Sequence, residues 1–320
     1  MRPLRVPSRW LGSLLAVAAL SGAAPLSANE IRPIGHGREV AAEAVGPEVF
    51  GPSSGRRVPG ASISDAKIPP YAVRVAEPRT YDGYTVTAPH LLIEDVEIDG
   101  SLDISTRLPV VLRRVIVAAG EDLPWLVLVR PGAGPLHVLW SDIGGAVRRR
   151  SAAPHVVVAL ALRGEGARVH RSRIGAAADG IQIAARDIRV TECLIANLLS
   201  RPGDHNDAIQ LFEQAAAIEL ARNRIENIHP QTSAITVLGR DVAITSNLIA
   251  GGGWTVYGGA LRNGKGGEGA TSVRVEDNVF SRAHFPRVGT FGPVVYWQSS
   301  PGSGNLWRRN RDEQDRPIAP

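Results

Sequence analysis

Four stretches repeat one phrase: Ile188-Arg-Val190-Thr-Glu-Cys193-Leu-Ile195, Ile218-Glu-Leu220-Ala-Arg-Asn223-Arg-Ile225, Val242-Ala-Ile244-Thr-Ser-Asn247-Leu-Ile249 and Val273-Arg-Val275-Glu-Asp-Asn278-Val-Phe280. The template is apolar, any, apolar, any, any, small or polar, any, apolar. Earlier copies start at Leu91, Val110, Leu136 and Ala167, giving eight in all with steps of 19 to 31 residues. A fixed phrase at a variable step is what a coil with loops of different length produces. The apolar-x-apolar alternation is strand-like, and its β-branched residues suit a pleated surface. The small or polar position falls where the chain must turn, and Asn side chains stacked there would satisfy buried backbone groups from coil to coil. These features predict an all-β parallel β-helix of about eight to nine coils.

A second strand is expected in each coil. Ile181-Gln-Ile183, Ile209-Gln-Leu211, Ile235-Thr-Val237 and Trp254-Thr-Val256 align, and Leu102-Asp-Ile104, Leu126-Val-Leu128, Val156-Val-Val158 and Val294-Val-Tyr296 extend the column.

Composition agrees with short strands and many turns. The chain has 320 residues, 44% hydrophobic, with 34 Gly and 23 Pro but few aromatics. Residues 1–28 resemble a secretory signal peptide, with Arg2, Arg5 and Arg9, an apolar run from Leu11 to Leu20, and Ala23 or Ala28 as a cleavage site. The run is too short to span a bilayer comfortably, and no other segment reaches that length. Without a twin arginine, the expectation is Sec-type export to the periplasm or beyond. That segment holds three arginines and no acid, so its removal lowers the net charge from +5 to +2, which argues against a nucleic-acid partner. The single cysteine, Cys193, excludes an internal disulfide, and its place in the Asn column marks it as structural. Residues 29–80 read as an irregular lead-in or N-terminal cap, with a short helix over Arg38–Val45. Residues 81–320 read as the β-helix with its C-terminal cap.

Further motifs carry a family resemblance. Tyr81-Asp-Gly83, Glu97-Ile-Asp-Gly100, Asp204-His-Asn-Asp-Ala-Ile-Gln210, Gly251-Gly-Gly-Trp254-Thr-Val-Tyr257, Gly289-Thr-Phe-Gly292-Pro293 and Gly304-Asn-Leu-Trp307 resemble secreted bacterial right-handed parallel β-helix repeat proteins of the pectate-lyase-like superfamily. The resemblance covers most of residues 80–320. It implies the right-handed fold and a superfamily of polysaccharide lyases, hydrolases and epimerases, in a subgroup whose activities are largely uncharacterised.

Registering two coils gives the candidate site. Ala178-Asp179-Gly-Ile-Gln182-Ile over Asn206-Asp207-Ala-Ile-Gln210-Leu stacks Asp179 on Asp207 and Gln182 on Gln210, with His205 and Asn206 alongside. Such a carboxylate pair can serve glycoside hydrolysis. With Asn206 it can hold Ca²⁺ against a uronate, or one acid can keep the other protonated. His205 is a candidate base for β-elimination from a uronate, with Arg171, Arg173 or Lys265 to neutralise its carboxyl. Trp254 and Tyr257 offer faces for sugar rings. Bland roles stand beside these: Asp-Gly and Asn-Asp are ordinary turn chemistry, the glutamines can form an amide ladder, and Trp254 alternates in phase with core positions. Three functions remain open: a polysaccharide lyase (the leading expectation), a glycoside hydrolase using Asp179 and Asp207, and a non-catalytic glycan-binding protein. In each the partner is a polysaccharide and the protein a monomer.

Overall fold

The computed structural model describes residues 56–81, 83–145, 154–259 and 269–320. The expected signal peptide, the Arg38–Val45 helix and Lys265 lie outside the described residues. The fold is an all-β right-handed parallel β-helix, the hand that parallel crossover connections take almost without exception. One sheet has ten strands, and Ala72–Val75 within it runs antiparallel to His90–Glu94 at the N-terminal end. The other nine are parallel and include every copy of the phrase in the expected register: Leu91 pairs with Val110, Val110 with Leu136, Ile188 with Ile218, Ile218 with Val242, and Val242 with Val273. The ninth, Leu306–Arg308, belongs to a copy the template did not reveal, because Asn305 and Asp312 replace apolar positions.

Each coil has three strands where two were expected. The last residues of the phrase form a short strand of their own, such as Arg173–Ile174, Leu194–Ile195 or Arg224–Asn227, and these stack into a second sheet. The strands anticipated as second make the third sheet. Arg56–Ile63 and Val96–Ile104 bend across the corner between the second and third sheets, joining them. The solenoid therefore reaches further toward the N-terminus than residue 81.

The corner between first and second sheets is built the same way nine times. Asp95, Arg114, Trp140, Arg171, Glu192, Arg222, Ser246, Asp277 and Arg309 all have φ between 44° and 59°. A left-handed non-glycine residue costs on the order of 1 kcal/mol, so something must hold each turn in place. After Asp95 and Arg114 the next residue is a buried valine, but from Trp140 onward the next side chain is hydrogen-bonded to the backbone. Asn247 accepts from the Asn223 amide at 2.8 Å and donates to the Leu220 carbonyl at 2.8 Å, and Asn278 and Asn310 repeat this one coil on. In earlier coils Ser141 and Ser172 accept amides through their hydroxyls. Cys193 sits fully buried in the same column, and burial pushes its thiol up to about 12. The expected stacked asparagines are present, and Cys193 is buried in their column.

The third sheet departs from simple alternation. Ala159 and Leu160, Ala208 and Ile209, and Ala234 and Ile235 are successive residues that all enter the main core. The period of two breaks there, and the residue just before each pair faces outward. Val158 accordingly packs with Leu128, Ala161 and Trp125 in a cluster apart from the core. Three expected alignments shift as a result. Val127–Val129 pairs with Leu102–Ile104, Leu160–Leu162 pairs with Ile181–Ile183, and Val256 pairs with Ile235. Uniformly apolar runs give no contrast by which the phase can be read.

The first sheet's outer face is occupied. Arg79–Tyr81 and Tyr84–Val86 form a hairpin whose Tyr81 and Val86 pack on Leu92, Val111 and Leu139. Further along, ion pairs such as Arg189–Glu219 (3.4 Å) cross it. Among the described residues no helix is long and apolar enough to cross a membrane.

The ladder has a measurable weight. Asn247→Ala should orphan a buried amide and a buried carbonyl and destabilise by about 2–4 kcal/mol in urea unfolding. Asn247→Asp, which keeps the acceptor and loses the donor, should also destabilise. Cys193 should resist thiol reagents until the chain unfolds.

Candidate functional site

The phase break brings Asp179 and Asp207 to one outer face. Asp179 lies opposite Val158 one coil before, and the column continues through Asp207 and Ser233 to Trp254 and Gly292. Beside it runs a second outward column of Ala161, Gln182, Gln210, Thr236 and Tyr257. Both carboxylates are nearly inaccessible, at 6% and 3% exposure, so their hydrogen bonds decide their chemistry.

Asp179 Oδ1 accepts the Asp207 amide at 2.9 Å, and its Oδ2 accepts Gln182 Nε2 at 2.8 Å. Asp207 Oδ1 accepts three donors: the Ser233 amide at 3.0 Å, the Thr236 hydroxyl at 2.9 Å, and the Ser233 hydroxyl. Each aspartate thus caps an amide of the following coil, whereas the asparagines at the other corner cap an amide of the coil before. An aspartate does this at greater cost, because burial disfavours its charge. Burial, reinforced by the negative charge of Asp207, pushes Asp179 up to about 7. Burial likewise raises Asp207, to about 6, against the pull of the Ser233 and Thr236 bonds. His205 is exposed at the rim, and its positive form would favour ionised Asp179.

Other expected residues fall elsewhere. Arg171 occupies the corner between the first and second sheets, where its Nε donates to Glu192 at 2.8 Å. Seven residues of chain separate it from Asp179, and they include the second-sheet strand Arg173–Ile174. Arg173 lies on the second sheet, 3.5 Å from Asp142. Asn206 is buried and fully engaged. Its Nδ2 donates to the carbonyls of Ala178 and Leu199, and its Oδ1 accepts from Gln231 at 2.8 Å. Calcium does not fit this donor set: Asn206 turns its oxygen to Gln231, and the two Oδ1 atoms are held by amides. Among the described residues no group of three or more His, Cys, Asp or Glu side chains is placed to hold a metal ion.

Trp254 was expected in phase with the core and instead belongs to the outward column. Its ring lies against Gly292 on the next coil, where an added Cβ would come within 2.7 Å of it. Phe291 stands beside it with ring centroids 6.1 Å apart, and Tyr296 stands beside Tyr257 at the same separation. Phe291 and Tyr296 are 52% and 40% exposed, so each of these ring pairs has a face open to solvent at its edge. Sequence reading missed Phe291 and Tyr296. It also missed Arg163, whose guanidinium donates to Gln182 Oε1 at 2.6 Å and lies 4.9 Å from the Phe212 ring centre.

The loop bearing His205 is tied down. Asp204 accepts from the Arg201 amide at 2.7 Å and lies 3.0 Å from His155 Nε2, while Gln231 donates to its carbonyl.

The raised carboxyls have a stability consequence with a definite sign. A folded pKa above the unfolded one gives stability that is complete below the unfolded pKa, near 4, and is lost as pH rises through the folded values, near 6 and 7. Asp179→Asn should therefore gain on the wild type between pH 4 and pH 8, by about 2–4 kcal/mol in urea unfolding at each pH.

No protein-family profile matches the chain, and no curated protein sequence matches it. Among solved structures the chain is similar to the crystal structure of the Dettilon tailspike protein, with 14% identity and a TM-score of 0.43 over 68% of this chain and 52% of that one. The chain spans about half the length of that protein.

Proposed function

We propose that the outer face of the third sheet binds a glycan along the solenoid axis and that Asp179 and Asp207 hydrolyse it. The observation that carries this reading is the buried carboxylate pair. An amide at either position would cap the following coil without burying an acid, so the acids are better explained by chemistry than by capping. With its pKa near neutrality, Asp179 holds a proton to give to a leaving glycosidic oxygen. Asp207, with three donors on one oxygen, is the stronger candidate for the ionised base or nucleophile. Coils stack about 4.8 Å apart, so Trp254 and Tyr257, two coils beyond Asp207, stand within an oligosaccharide's reach. With Phe291 and Tyr296 they provide apolar faces on which sugar rings can lie.

These features favour a neutral glycan. Paired carboxylates repel a polyuronate, and Arg171, expected to neutralise its carboxyl, is bound to Glu192 at another corner. The lyase reading with His205 as base keeps the exposed rim position of that imidazole in its support. A non-catalytic glycan-binding role also has a specific observation behind it, since both aspartates perform a capping job.

A panel of neutral and acidic glycans separates the three. Hydrolysis predicts new reducing ends without ultraviolet-absorbing product. Asp179→Asn and Asp207→Asn should each lower turnover by about 10²–10⁴-fold while glycan binding persists. Unsaturated product lost on replacing His205 would establish the lyase instead. Retention on glycan columns with no turnover, unchanged in both Asn variants, would establish the binder. The N-terminal sequence further supports an exported protein.

A further inference from the structure

A guanidinium has only donors, so the oxygen of the Gln182 side-chain amide must face Arg163. The geometry agrees, with Arg163 Nη2 2.6 Å from Gln182 Oε1 and Gln182 Nε2 2.8 Å from Asp179 Oδ2. Arg163 is itself fixed by its seat on the Phe212 ring. We propose that Arg163 is a positioning residue for Asp179: by fixing the Gln182 amide in one orientation it aims a donor, and never an acceptor, at Asp179 Oδ2.

The orientation matters because Asp179 has few other partners. Its Oδ1 is held by the Asp207 amide. The charged groups that bear on it are Asp207 from the next coil and His205 from the rim, with Arg163 acting through the amide. If Gln182 were reversed, its Oε1 would face Oδ2 and accept the carboxylic proton. The acid would then be tied into the protein wall with no proton to offer outward. With Oε1 occupied by Arg163 that state is closed, and a proton on Asp179 must lie on a lone pair the wall does not use. The arrangement also favours the ionised form after transfer, because both oxygens then accept. The functional meaning of this relay rests on the hydrolase reading, but the relay itself can be tested without substrate.

The test is the titration of Asp179 followed by carboxyl-carbon NMR on protein labelled at aspartate, with Asp179→Asn identifying the signal. In Gln182→Met the donor is lost. In Arg163→Met the amide is free to reverse and trap the proton. Each change should raise the proton affinity of Asp179 about tenfold, roughly one pH unit, while the Asp207 titration stays in place. Arg163→Lys, which keeps a donor toward Oε1, should restore most of the wild-type titration. An Asp179 titration unmoved in folded Arg163→Met overturns the proposal, as does one that moves equally in Arg163→Lys. Should Arg163→Met fail to fold, Arg163→Ala decides by the same criterion: an unmoved Asp179 titration overturns the proposal, and an upward shift absent from Arg163→Lys supports it. Failure of the relay leaves turnover by wild-type protein untouched, so it is distinguishable from failure of the hydrolase reading.

Discussion

The fold depends on satisfying backbone amides at the corners of the coil. Within the sheets, parallel pairing takes care of the main chain, but at each turn between first and second sheets a left-handed residue interrupts it. The Asn223–Asn247–Asn278–Asn310 ladder closes that gap by accepting an amide of the coil before and donating to one of its carbonyls. With the corners held, loops between strands are free to vary in length, and the core needs only one aliphatic stripe per strand. Asp179 and Asp207 solve the equivalent problem at the start of the third sheet with a chemically different side chain.

The same local irregularity that turns these acids outward gives the candidate site its shape. Two successive inward residues shift the phase of the third sheet, and everything before them in the strand changes face. Trp125, Asp179, Asp207 and Trp254 share an outer column for this reason alone. Loops between the second and third sheets border the column, fastened by Asp204 with His155 and by Arg201 with Asp122. The first sheet offers no comparable opening, since a hairpin and rows of ion pairs cover it.

The first sheet was legible residue by residue, because its phrase combines alternating aliphatics with a distinctive turn residue. The second sheet was not, since strands such as Arg173–Ile174 are too short to display a period. Phase in the third sheet failed at Leu123–Val129 and Val156–Leu162, where nearly every residue is apolar. The stacking of Asp179 on Asp207 and of Gln182 on Gln210 was readable because the pattern recurs in adjacent coils. Arg171 misled through proximity along the chain, which in a coil says little about which corner a residue occupies. Arg163 was hidden for the opposite reason: its tie to Gln182 exists only between coils and leaves no mark in either segment alone.

The ladder also has a direction. Every asparagine serves the coil before its own, so a coil has its corner groups satisfied only once its successor has docked. Past Asn310 the chain turns back, so that Ile318 donates to the Asn310 carbonyl while Trp307 donates to that of Ile318. A solenoid wired this way is directional, each coil completing the corner of the one before it. The joints at Asn223, Asn247 and Asn278 are alike, so a coil inserted between two of them would meet the same groups on either side.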